Sequence, residues 1–347
     1  PLKFSNIYFT KTLVVYSFAA ILSALALFAY LKLKDKSLNF NIFKIGIISV
    51  LVTQLLSTIF SANPVVSFWG RDFAVDSFVT ILSLFIILCI TAKYFKRDFV
   101  FNFVWTVIFT SGVISIIQIL NILLPSLPSF GIFYNASSNV VGKINDLSLF
   151  VTIGLVFSVL TIEQIKVSKT FSYILYFIAT INLLLILLIN FNINLYFIAA
   201  FGILFNIYKF TIFNSVNKKL KGESPKFISI SLIITLITFV AIFFGGSHIQ
   251  SLSEKIQFNY LEVRPSVSAT IELSKRALQD NFLLGSGPAT FEVLWPKFRD
   301  AEVLRSEFWN VDFRYGFSLM TSFVSTVGIL GSLAWILYIM IVFCCSM

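Results

Sequence analysis

In a chain built mainly of Phe, Ile, Leu and Val, chemistry is possible in the polar segment 262–298, "EVRPSVSATIELSKRALQDNFLLGSGPATFEVLWPKF". Arg264 opens it. An arginine at the edge of a bilayer either snorkels to water or meets a diphosphate at headgroup depth. There its planar fork binds bidentately and a lower dielectric strengthens the contact. Arg71, with Asp72 and Asp76 close by in "FWGRDFAVD", reads as an interfacial salt bridge, weak when exposed, or as an anion contact. Lys143, just before the helix start in "VVGKINDLSLF", could join an anion site with the positive end of the helix dipole behind it. Asn145 or Asp146 is placed to cap that helix, and capping is the favoured role of Asp146. The single histidine, His248, has no partner that marks it as a base and reads as an interfacial polar residue. The "GSGPATF" turn lacks the strand and lysine of a phosphate loop. Its glycines point instead to a sharp turn and a close backbone approach.

The elements that must position these residues follow from composition. The chain is 58% hydrophobic and only 12% charged, against about 25% charged residues in soluble domains. The class is therefore an all-α polytopic membrane protein. Cys89, Cys344 and Cys345 all fall in apolar runs and read as inert packing residues. No Cys/His spacing resembles a metal site. No cleavable signal peptide is evident, and the apolar run at the end leaves room for further chain.

An apolar helix needs about 20 residues to cross the hydrocarbon. About nine transmembrane helices are predicted, over 11–31, 41–60, 78–95, 99–124, 147–163, 170–190, 194–213, 227–246 and 317–345. The short polar residues of "NFNIN" suit a tight turn between the sixth and seventh. The loops "KLKDK", "KYFKR", "KVSK" and the stretch 208–226 are rich in Lys and Arg, whereas 61–77, 125–146 and 191–193 hold only Arg71 and Lys143. The positive-inside bias places the first set in the cytoplasm and the N-terminus outside. The formal charge of +10 is then mostly topology. The basic loops lack the interleaved aromatics of a nucleic-acid surface, and no nucleic-acid partner is expected.

The organisation predicted is helices one to eight over 1–246, an extracytoplasmic loop over 247–316 and a ninth helix over 317–347. Within the loop, Val267, Ile271, Ser274, Leu278 and Phe282 recur at helical spacing after Pro265, which fits a first helical turn. Glu272 and Arg276 stand at the i, i+4 spacing. An amphipathic helix at the membrane surface is predicted here, followed after the turn by an apolar edge of Phe291, Leu294, Trp295 and Phe298.

The order of these pieces resembles the O-antigen ligase and polymerase family of bacterial membrane glycosyltransferases. The residues that carry the resemblance are "LLSTIFSANPVVSFWGRDF", "YNASSNVVGKINDLSLF", "RPSVSATIELSKRALQDNFLLGSGPATFEVLWPKF" and "STVGILGSLAWI". It covers most of the chain from Leu51 onward. The individual motifs are degenerate; their order and topology are what is specific. The resemblance implies a transferase of the bacterial cytoplasmic membrane that needs no metal and no cofactor. Its donor would be an undecaprenyl-diphosphate-linked glycan at the outer leaflet, surrounded by membrane lipids, and its acceptor a hydroxyl on a lipid or protein. Arg264 inherits the diphosphate-holding role by motif position, followed by Arg71.

One position departs from the family. Its ligases carry a histidine, the general base, about a dozen residues before the re-entry glycines, and here that count lands on Phe317 or Ser318. The resemblance then leaves Asp312 or Glu307, in "RSEFWNVDFRYG", to take the acceptor proton, with Asp312 preferred. That role requires burial to raise the carboxyl's pKa toward neutrality. Arg314 beside it opposes the rise and fits diphosphate binding or a structural pair. Two other classes stay in view. A catalytically inactive envelope-assembly scaffold would explain the absent histidine. A transporter would place charges within the spans and show internal repeats; the sequence shows no internal repeat and almost no charge inside the spans, with Lys11 and Lys44 near span ends.

Overall fold

The structure is a computed structural model that describes residues 7–32, 42–71, 74–94, 97–124, 138–142, 144–213, 229–244, 264–299, 303 and 309–346. These residues are helical or irregular, with no strand among them. The helices are α1 (Ile7–Lys32), α2 (Ile42–Ile59), α3 (Pro64–Trp69), α4 (Phe78–Tyr94), α5 (Arg97–Leu123), α6 (Ile144–Gln164), α7 (Lys169–Ile189) and α8 (Asn192–Tyr208). A π-helical turn, Lys209–Phe213, extends α8. Then come α9 (Ile230–Phe244), α10 (Val267–Asp280), α11 (Phe291–Phe298), α12 (Leu319–Thr326) and α13 (Gly328–Ser346).

Six of the expected spans are helices long and apolar enough to cross a membrane, and the first, third and eighth are apolar helices of shorter described length. The protein is a multi-pass, all-helical membrane protein. The ninth span departs from expectation. It is two helices, α12 and α13, parted at Val327 and Gly328.

The chain divides into two compact units, residues 1–94 with 262–347, and residues 95–261. In the first, α2 packs along α13, where Gly46 lets Tyr338 and Ile341 approach. Ile47, Val50, Ile81, Phe85, Phe323, Val327 and Ala334 form the core. Phe85 and Phe323 both stack on Trp335. α1 lies against α4, and Tyr16 hydrogen-bonds Thr80 at 2.6 Å.

In the second unit α6, α7, α8 and α9 bury Leu147, Val151, Leu155, Leu185, Ile186, Leu195 and Ile198. Without a hydrophobic drive between helices in lipid, small residues and side-chain hydrogen bonds hold such a bundle together. Gly154 packs on Ser111 and Asn182, and Gly202 on Thr235. Asn182 accepts from Ser115 at 2.8 Å and donates to Ser111 at 3.0 Å. One end of this bundle is closed by a buried ion pair: Lys209 donates to Glu163 at 2.8 Å, and Glu163 also accepts from the Ser231 amide and hydroxyl. The tight turn expected at "NFNIN" is present, with Asn190 in the left-handed region at φ 52°.

Two expectations are corrected here. α6 begins at Ile144, so Asn145 and Asp146 lie inside its first turn instead of capping it. The three cysteines are free and exposed on α4 and α13, not packed inside.

Candidate functional site

The site is built on the break between α12 and α13. A helix interrupted in this way leaves carbonyls at one end and amides at the other without intrahelical partners, and the turn after α10 supplies them. Ser286 and Gly287 donate their amides to the Ser325 and Thr326 carbonyls, at 3.2 and 2.7 Å. Ile329 and Leu330 donate theirs to the Phe282 and Leu283 carbonyls, at 3.2 and 3.1 Å. The crossing is so close that a Cβ on Gly285 would sit 2.5 Å from the Gly328 nitrogen, and both glycines have φ near +67° (66° and 68°). Only glycine meets both demands.

The end of α2 binds the same turn. Ser57 donates to the Leu284 carbonyl at 2.6 Å, and Ser61 to the Ser286 carbonyl at 2.8 Å. Ser67 of α3 in turn donates to Ser61. Three segments distant in sequence, 57–67, 282–290 and 325–330, are thus one hydrogen-bonded unit.

α10 and α11 stand on this platform around a small core of Leu273, Ala277, Phe291, Leu294, Trp295 and Phe313. The apolar edge expected after the turn is this core's wall. The Glu272–Arg276 pair forms at 3.2 Å. The buried face of α10 is Thr270, Leu273, Ser274 and Ala277, whereas Val267 and Ile271 of the expected face are exposed. Packing on Phe291 and Phe313, not on lipid alone, selects the inward stripe.

Arg264 is exposed just before α10. It donates to the Phe317 carbonyl at 3.3 Å, and its guanidinium lies 4.5 Å from the centre of the Phe317 ring. Phe317 is one of the two positions, with Ser318, on which the count back from the re-entry glycines lands, and Arg264 stands beside it. Its neighbour Ser318 is committed to capping α12 in a reciprocal box with Thr321. Arg71 pairs with Glu292 at 3.3 Å, both partly exposed. Such a pair contributes about 1 kcal/mol at most, which leaves Arg71 free to exchange Glu292 for another anion.

Asp312 and Arg314 are both exposed, on either side of buried Phe313. The burial that a base at Asp312 requires is not found there. Lys143, Asp72, His248 and Glu307 lie outside the described residues.

Besides Glu163, a buried carboxylate among the described residues is Asp76, between α3 and α4, with 1% of its surface exposed. Burial lifts its pKa from 3.8 to about 6, against smaller opposing effects of its own amide, the Ala289 backbone and the Tyr315 side chain. The last two lie near enough to favour the charged form in part, yet neither oxygen completes a hydrogen bond. Tyr315, half-buried, accepts from the Val75 amide at 3.4 Å. Sequence reasoning treated Asp76 only as a companion of Arg71. Nothing in "FAVDSF" signals that Tyr315 and Ala289, more than 200 residues away, enclose it.

No protein-family model, curated protein or solved structure matches this chain.

Proposed function

We propose that this chain is a membrane glycosyltransferase of the bacterial cytoplasmic membrane, moving a glycan from undecaprenyl diphosphate to an acceptor hydroxyl on the outer face. The observation that carries this reading is the meeting of the motif segments in space. The "FSANPVVSFW" exit, the "FLLGSG" turn and the "TVGILG" re-entry share one hydrogen-bond network, and Arg264 is seated on Phe317 within the same unit. The α13 amides of Ile329 and Leu330 are occupied by loop carbonyls. That helix end is therefore used to hold the loop, not to coordinate a transported anion as half-helices of transporters do.

In the reaction, the acceptor oxygen bonds to the anomeric carbon as the bond from that carbon to the diphosphate oxygen breaks. Undecaprenyl diphosphate leaves with the electron pair. Arg264 and Arg71, with Arg314 as a further cation, stabilise the charge that develops on it. Such electrostatic stabilisation is commonly the largest catalytic contribution, about 3 kcal/mol per donor.

The test uses the protein in lipid nanodiscs, with undecaprenyl diphosphate and undecaprenyl monophosphate as probes. The diphosphate should bind more tightly. Arg264→Ala should weaken it by about 10-fold or more, the loss expected of a charge-assisted contact. Arg264→Lys should be nearly as damaging, because ammonium lacks the bidentate fork. Equal binding of the diphosphate by parent and both variants refutes the assignment. Binding without glycan transfer, using lipid-linked glycan extracted from source membranes, favours the inactive scaffold.

A further inference from the structure

We propose that Tyr315 and Asp76 form the proton relay that stands in for the missing histidine: Tyr315 takes the proton of the acceptor hydroxyl and Asp76 receives the proton that Tyr315 gives up. The inference rests on the transferase reading for the source of the proton.

The argument begins with what a buried carboxylate ordinarily requires. Ionised and buried, it needs partners for its lone pairs, and leaving them unmet is costly. Asp76 is 1% exposed and completes no hydrogen bond at either oxygen. No charged side chain among the described residues contributes to its environment. Among the described residues, the titratable groups beside it are Tyr315, from the segment before α12, and, through Ser77, Tyr16 of α1 at 3.4 Å from the Ser77 hydroxyl. The elements packed around it otherwise present neutral hydroxyls, Ser77 and Thr80, which bond each other at 2.9 Å. A carboxylate kept in this state is suited to receiving a proton.

Tyr315 supplies the path. Its oxygen accepts from the Val75 amide, one residue from Asp76, and the Tyr315 side chain lies beside the Asp76 carboxylate without completing a hydrogen bond to it. Asp76 is sealed from solvent, whereas Tyr315 is half-buried and can be reached. It also stands two residues before Phe317, the residue on which Arg264 rests. The relay therefore ends on the same chain segment as the carbonyl that Arg264 binds. Hydrogen bonds of catalytic groups are often long before substrate binds and tighten in the complex.

The step balances. The acceptor O–H bond breaks as its oxygen bonds to the anomeric carbon, and that proton passes to the Tyr315 oxygen. The Tyr315 O–H bond breaks in concert and its proton joins a carboxylate oxygen of Asp76. The diphosphate departs with the electrons of the broken glycosidic bond. Tyr315 is the catalytic residue here, because it touches the acceptor, and Asp76 acts through it. Burial places the carboxyl's pKa at about 6. The relay then works above that pH and fails below it, as the proton site fills.

The experiment has two arms on the same purified protein in nanodiscs. The first measures transfer from lipid-linked glycan extracted from source membranes, for parent, Asp76→Asn, Asp76→Glu, Tyr315→Phe and Asp312→Asn. Asp76→Asn and Tyr315→Phe should each lose about 100-fold or more while undecaprenyl diphosphate binding is kept. Asp76→Glu should recover part of the rate, and Asp312→Asn should stay near the parent. The parent's acid limb, near pH 6 by burial, should vanish from the residual activity of Asp76→Asn. Parental transfer by Asp76→Asn or Tyr315→Phe overturns the relay, as does a large loss in Asp312→Asn alone.

The second arm needs no substrate. Infrared difference spectra across the same pH range should show one protonated-carboxyl band that Asp76→Asn removes and Tyr315→Phe shifts. If neither variant changes that band, the relay is overturned whatever the activity. If the band behaves as expected but the parent neither binds undecaprenyl diphosphate nor transfers glycan, the proton site stands and the transferase reading falls.

Discussion

Replacing Asp76 with Asn should stabilise the folded protein at neutral pH and leave its stability in acid nearly unchanged. The magnitude follows from burial. The carboxyl has a pKa of 3.8 in an open chain and about 6 in the fold. Below the lower value both states hold the proton, and the site costs nothing. Between the two values the unfolded chain releases its proton while the folded protein keeps it. The folded state then binds more protons, so stability falls as pH rises. Each unit of the gap is about 1.4 kcal/mol, so the whole window costs about 3 kcal/mol, lost by the time pH passes the folded value. Asn carries no charge at any pH and escapes this loss. Whatever its carboxamide costs is the same at both ends of the window, so the informative quantity is the difference of differences. Reversible unfolding of parent and variant in mixed micelles at about pH 4 and about pH 7.5 measures it. An advantage of Asn that grows by about 2–3 kcal/mol toward neutral pH is expected. A constant difference between the two proteins across that range would refute the claim that Asp76 is enclosed without adequate partners. A site that weakens its own fold at working pH also suggests why the carboxylate is there at all.

Two further outcomes are expected. Gly285→Ala combines a positive φ with a Cβ 2.5 Å from the Gly328 nitrogen, so strain and overpacking together should cost about 2–5 kcal/mol. Hydrogen exchange at Ser286, Gly287, Ile329 and Leu330 should speed up together, and unchanged protection there would show that the crossing does not depend on close approach. Lys209→Met strands Glu163, whose remaining hydrogen-bond partners are the amide and hydroxyl of Ser231, and should cost about 3–5 kcal/mol. Adding Glu163→Leu should restore most of that stability, and a double variant no better than the single would count against a paired buried charge.

The sequence by itself determined the class, the position of most apolar helices and the local turns. Apolar runs located α2 over Ile42–Ile59 and α4 over Phe78–Tyr94 to within a residue or two of the expected 41–60 and 78–95, because transfer of a side chain into hydrocarbon depends on the local window. Short polar residues at Asn190 and the glycines of "GSGP" marked the turns, since positive φ is a property of single residues. The Glu272–Arg276 pair was legible for the same reason: one helical turn brings its members together.

What tertiary structure alone decided involves partners distant in sequence. Nothing within 317–345 demanded a break at Val327. The break is sustained because residues 282–287, some 40 positions earlier, supply the missing donors and acceptors. The inward stripe of α10 was set by Phe291 and Phe313, not by its own periodicity. The choice of buried carboxylate was settled likewise. Asp312 and Asp76 both lie in short polar stretches, yet Asp312 faces outward while Ala289 and Tyr315 close over Asp76. Desolvation depends on everything that surrounds a group, and only the folded chain assembles those surroundings.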